Sequence, residues 1–147
     1  MQTPEFLVWA IERRCELRQI GGFEDPERTE RHLRTLRVYS DAAGESHFEE
    51  LQLPLTDSGP IGYLSAALPV KEIIFREVEP SYDYDFHNAP RRQYIVLLDG
   101  GIQIETSTGD TRNFAPGEVI LVEDTTGKGH RTKNLENKTR RSVFISF

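Results

Sequence analysis

Asp85-Phe86-His87-Asn88-Ala89-Pro90-Arg91-Arg92-Gln93-Tyr94-Ile95-Val96-Leu97-Leu98-Asp99-Gly100-Gly101-Ile102-Gln103-Ile104-Glu105-Thr106 is the stretch that decides the class of this fold. Its second half holds two short strand-like runs, Gln93 to Leu98 and Ile102 to Thr106, parted by Asp99-Gly100-Gly101. That tripeptide reads as a hairpin turn whose glycines are present for positive φ. Residues two apart in a strand share a face, so Gln93, Ile95 and Leu97 project together, as do Asp85 and His87. Polar side chains set in an apolar lining need hydrogen-bond partners or a metal.

Working outward, the same strand grammar repeats. Leu36 to Ser40, His47 to Leu53, Ile73 to Val78, Glu118 to Val122, His130 to Leu135 and Ser142 to Phe147 are further short runs bounded by Gly, Pro, Asp and Asn. Ser107-Thr108-Gly109-Asp110 reads as a second hairpin turn. Eight such runs predict an all-β barrel or sandwich and argue against alternating βα units. Ahead of them, Thr3-Pro4-Glu5 is a helix-start signal, and Leu7, Ala10, Ile11 and Cys15 share a helical face up to Gly21-Gly22. A helix over about residues 4–20 is expected from these signals. Glu24 to His32 is a mixed-charge arm without an apolar face. The predicted organisation is a helix and charged arm over residues 1–34 and a barrel over residues 35–147.

The composition narrows the function classes. A net charge of −6 opposes nucleic acid and anionic membrane as partners. No run approaches the roughly 18 apolar residues of a membrane span, and Met1 to Ile11 lacks the basic start of a signal peptide. Cys15 is the sole cysteine and cannot form an internal disulfide, so a reducing cytoplasm is the expected location.

The residues that carry polar chemistry form two clusters. Asp85, His87 and Gln93 lead to Gly100, seven residues after Gln93; Gly127-Lys128-Gly129-His130 leads to Asn134. In this spacing the chain resembles the small single-domain cupins, whose first motif is two histidines one residue apart, a glutamate and a glycine. Their second motif joins a glycine to a histidine and then an asparagine. The resemblance implies a jelly-roll β-barrel that brings the two clusters together, commonly around a metal, and commonly a homodimer. The chain departs from the pattern where Asp85 stands for a histidine, Gln93 for the glutamate and Thr125 for a proline.

Asp85, His87 and His130 would still make a two-His-one-carboxylate set suited to Fe, Mn, Ni or Zn, with Gln93 as a neutral oxygen ligand or an orienting donor. The alternative is a metal-free pocket in which His87 and Gln93 are satisfied polar groups and Asp85 is a surface residue. Arg91 and Arg92 are candidates to clamp an anionic substrate, and Tyr84 to line the pocket mouth with Tyr82 and Phe86. Glu123 and Asp124 lie close to His130 in sequence, although a loop acid is ordinarily hydrated. His47 is a remoter candidate. Gly127-Lys128-Gly129 fails as a phosphate loop because neither Ser/Thr nor a helix follows it. Arg140-Arg141-Ser142 follows His130 at about the distance at which 2-oxoglutarate oxygenases, which share this barrel type, place a cosubstrate-binding arginine. Their His-x-acid order is the reverse of Asp85-x-His87, and the spacing reads as chance.

Three functions follow as expectations. One is a metal-dependent oxygenase, isomerase or lyase acting on a small polar molecule. Another is a metal-free enzyme using His87 or His130 as its acid–base group. The third is a small-molecule binding or sensing domain without catalysis.

Overall fold

The alternating runs become strands that wrap as a jelly roll in the computed structural model, which describes residues 31–147. The expected helix over residues 4–20, with Cys15, and most of the charged arm lie outside the described residues. The strands are β1 (Arg31–Ser40), β2 (Ser46–Asp57), β3 (Tyr63–Leu64), β4 (Glu72–Val78), β5 (Asp83–His87), β6 (Gln93–Leu97), β7 (Ile102–Thr106), β8 (Thr111–Phe114), β9 (Val119–Val122), β10 (His130–Asn134) and β11 (Arg140–Ser146). A 3-10 turn, Gly59–Ile61, precedes β3.

Two sheets form, one ordered β3-β2-β1-β9-β6-β11-β4 and the other β5-β10-β7-β8. From β4 onward the pairing runs from the outside inward. β4 pairs with β11, β5 with β10, β6 with β9 and β7 with β8, all antiparallel. That is one long hairpin of eight strands, folded across two sheets, which defines a jelly roll. β1 extends the larger sheet by a parallel pairing with β9, and β2 and β3 continue it outward.

The sheets are not closed into the expected barrel. The chain changes sheet at the connections over residues 79–82, 88–92, 98–101, 115–118, 123–129 and 135–139, and the ladders stop at these corners. Burial of apolar side chains between the sheets joins them instead. Val38, Leu97, Ile120 and Val122 of the large sheet pack in one cluster with Ile102, Ile104 and Phe114 of the small one.

The Asp99-Gly100-Gly101 turn is a second departure from the sequence reading. It links β6 of one sheet to β7 of the other, and neither glycine has positive φ. Glycine is needed there for space. A Cβ on Gly100 would stand 2.9 Å from Arg140 Cγ, and one on Gly101 would stand 2.8 Å from the Phe114 carbonyl oxygen. Ser107 to Asp110 does close a true hairpin, between β7 and β8, and Gly109 there has φ +90°.

Candidate functional site

His87 and His130 are register partners at the ends of β5 and β10. Their ring centroids lie 4.6 Å apart with the planes tilted by 56°. Tyr84 packs beside His87, 3.9 Å between centroids. This grouping comes from a register shift: Asp85 and Phe86 together stand opposite the single Arg131. A bulge of this kind breaks the two-residue alternation. Tyr84 therefore lines the cavity with His87, while Asp85 lies exposed outside it, its carboxylate accepting the Phe86 amide at 2.8 Å. The sequence expectation that Asp85 and His87 project together fails for this reason.

The loop before β10 is held by contact. Gly127 and Gly129 have φ of +81° and +73°. Any Cβ on Gly129 would collide with the His87 carbonyl, and one on Gly127 with the Gly44 backbone. These close approaches seat His130 against His87.

Both rings have one nitrogen committed. His130 Nδ1 donates to Asp124 Oδ2 at 2.6 Å, and His87 Nδ1 donates to the Asp85 carbonyl at 2.7 Å. A carboxylate and a carbonyl can only accept, so each neutral ring carries its proton on Nδ1 and leaves Nε2 bare. Asp124 is fully buried, and its Oδ1 has no partner among the described residues. Burial is the largest influence on His87 and holds its pKa below the usual imidazole range; the bond to Asp85 opposes this and the adjacent His130 adds to it.

The two histidines open on a cavity of about 320 Å³. Gln93, buried at the start of β6, lines it, with Ile95, Ile102, Val122 and Phe144 as its apolar wall. Arg76 of β4 and Arg140 of β11 line it as well. The connection after β5 forms part of the rim. Ala89 N–H donates to the Asp124 carbonyl at 3.1 Å, and the Asn88 amide donates to the Asp124 and Gly127 carbonyls.

The remaining sequence candidates lie elsewhere. Arg91 pairs with Glu72 and Arg92 with Glu123, and neither lines the cavity. Glu123 also receives Arg37 at 2.7 Å, so it is a hub of surface ion pairs. His47 bonds Asp41 at 2.7 Å away from the cavity, and Lys128 pairs with Glu45. His32 is exposed on β1.

A metal does not suit this donor set. Among the described residues no three His, Cys, Asp or Glu side chains come together to hold one. With Asp85 turned away, the cavity offers two imidazoles and the neutral Gln93 amide, while two arginines stand in its wall. A divalent cation there would gain no carboxylate and would face like charge.

Residues 1–54 match a family described as "Domain of unknown function (DUF8352)". No curated protein matches the sequence. Among solved structures, the fold is similar to protein NMB1881 from Neisseria meningitidis, at 11% identity and a TM-score of 0.40, over 91% of this chain and 94% of that one. It is similar to the Schizosaccharomyces pombe Cnp3 cupin domain at 13% identity and a TM-score of 0.39, over 81% and 85%. It is also similar to the capsular polysaccharide assembling protein CapF from Staphylococcus aureus, at 11% identity and a TM-score of 0.39. That match covers 75% of this chain but only 29% of CapF. The strand order identifies the jelly roll without them. No helix among the described residues is long and apolar enough to cross a membrane.

Proposed function

We propose that this chain is a cupin-type domain that binds a small molecule in the cavity between its sheets and works on it without a metal. The observation that carries this reading is the buried His130–Asp124 pair at 2.6 Å, set beside His87 at the cavity wall. Asp124 fixes the tautomer that leaves His130 Nε2 as a proton acceptor, and its charge would stabilise the imidazolium once a proton arrives. His87, neutral and Nε2-bare, would serve as a second acceptor or an orienting group.

One feature favours the competing metal reading. Both Nδ1 atoms are engaged by oxygen, as they are in metal-ligating histidines. Elemental analysis of purified protein, before and after reloading with Fe, Mn, Ni and Zn, decides between the two. The expected result is metal far below one per chain. A near-stoichiometric metal lost in both His87→Ala and His130→Ala would overturn the proposal. A thermal-shift screen of small polar molecules should then find ligands that stabilise the wild type and fail to stabilise His130→Ala.

A further inference from the structure

Arg140 is 3% exposed, yet it has no acidic partner among the described residues. Its Nε donates to Asn134 Oδ1 at 2.8 Å, and neither terminal nitrogen finds an acceptor there. A guanidinium carries five N–H donors, so most of this one's capacity is unspent. Asn134 is itself tied down: its amide donates to the carbonyls of Glu79, Pro80 and Lys138. Gly100 packs against the aliphatic stem where any Cβ would press on it. The side chain is therefore held on purpose-built contacts along its length, with its charged end in the cavity wall.

A second cation stands close by. The Arg140 and Arg76 guanidinium carbons lie 5.4 and 4.7 Å from the centroid of the same ring, Tyr82. Arg76 also lines the cavity and has no ion pair among the described residues. Two guanidiniums sharing one ring repel each other, and the Tyr82 face offsets that only in part. Burial first, and then the proximity of Arg76, hold the Arg140 pKa below the usual arginine range.

We infer that the cavity is an oxyanion site. Arg140, backed by Arg76, receives a carboxylate or phosphate group on a small organic molecule whose apolar part lies against Ile95, Ile102, Val122 and Phe144. A guanidinium fork matches either oxyanion in bidentate geometry, which a lone ammonium would not. This deepens the small-molecule reading above and rests on it. It also places the anionic end of the ligand on the β4–β11 side of the cavity and the His87–His130 pair on the β5–β10 side.

The test is calorimetric titration of the full chain with succinate, with inorganic phosphate, and with succinamide as the neutral counterpart, each with and without chelator. Saturable binding of succinate or phosphate, absent for succinamide and weakened more than about tenfold in Arg140→Gln, is the expected result. Preference between the two anions tells carboxylate from phosphate. Arg76→Gln guards against a folding defect at the buried position: it too should weaken the anion, while Arg140→Lys should restore only part of the affinity. Succinamide binding as well as succinate, or anion affinity unchanged in both glutamine variants, overturns the inference. Anion binding that vanishes with chelator but survives Arg140→Gln would instead sink the metal-free reading along with it.

Discussion

Asp124 determines which nitrogen of His130 is free, and that can be read directly. In the wild type the proton sits on Nδ1 because the carboxylate only accepts. In Asp124→Asn the amide can donate to Nδ1, so the proton should move to Nε2, visible as exchanged nitrogen shifts in long-range proton–nitrogen spectra. Where a turnover assay exists, the same variant should lose ~10²–10⁴ in rate while staying folded. An unchanged tautomer would remove Asp124 from the mechanism. His87 carries a different signature. Its folded pKa is depressed, so below pH ~6.5 the unfolded chain takes up a proton that the folded chain refuses. Its contribution to stability is intact above that pH and is lost as pH falls towards the folded value. Urea denaturation at pH values either side of ~6.5 should show this slope in the wild type and a shallower one in His87→Gln. At this scale the sequence was partly legible. The motif spacing singled out His87, Gln93 and His130, which line one cavity. It undervalued Asp124 and Arg140, because burial is what turns a loop acid or a strand arginine into a site residue, and burial is tertiary. Arg76 left a fainter sign: it shares the face of β4 with the buried Val78, where a charge is out of pattern.

Elements were easier to read where both periodicity and turn chemistry were strong. The runs that became β6, β7, β9, β10 and β11 are apolar-alternating or flanked by glycine, and they were expected within a residue or two. β8, Thr111–Phe114, was missed because three of its four residues are polar and exposed, and β3 is only two residues long. The sheet-crossing corner at Gly100 looked like a hairpin because the same residue type serves crowding and positive φ alike. Gly129 meets both demands together, which makes it the sharper test. Gly129→Ala adds a Cβ at φ +73° and drives it into the His87 carbonyl. The left-handed conformation alone costs about 1–2 kcal/mol, and the collision must also push β5 from β10. The variant should melt earlier and lose the close His87–His130 contact, seen as loss of cross-peaks between the two rings. Full stability with the rings still in contact would mean that the loop tolerates a side chain there. In the core, Ile120 is completely buried on β9, opposite Leu36 of β1 and Ile95 of β6. Ile120→Ala should cost about 2–5 kcal/mol by denaturant unfolding.

From β4 to β11 the strands pair from the ends of one long hairpin inward, and that nesting has a kinetic consequence for the whole molecule. β7 and β8 are joined by a four-residue turn and can form early, whereas β4 and β11 are parted by residues 79–139, so their pairing is expected last. Closing so long a loop is unfavourable until the contacts at its end are made. Refolding should accordingly take roughly milliseconds to seconds, as in other folds dominated by non-local pairing. The same order predicts how core substitutions divide between the two rates. Ile104→Val in β7 removes a methylene from the completely buried centre of the early hairpin, at about 0.5–1.5 kcal/mol, and should chiefly slow folding. Val78→Ala at the end of β4 touches a pairing made last and should chiefly speed unfolding. Stopped-flow measurements of both variants, followed by far-ultraviolet dichroism across denaturant, test the scheme. Equal slowing of folding by both would mean that β4 and β11 are already paired in the transition state, and that the jelly roll closes from its outer strands rather than from the hairpin within.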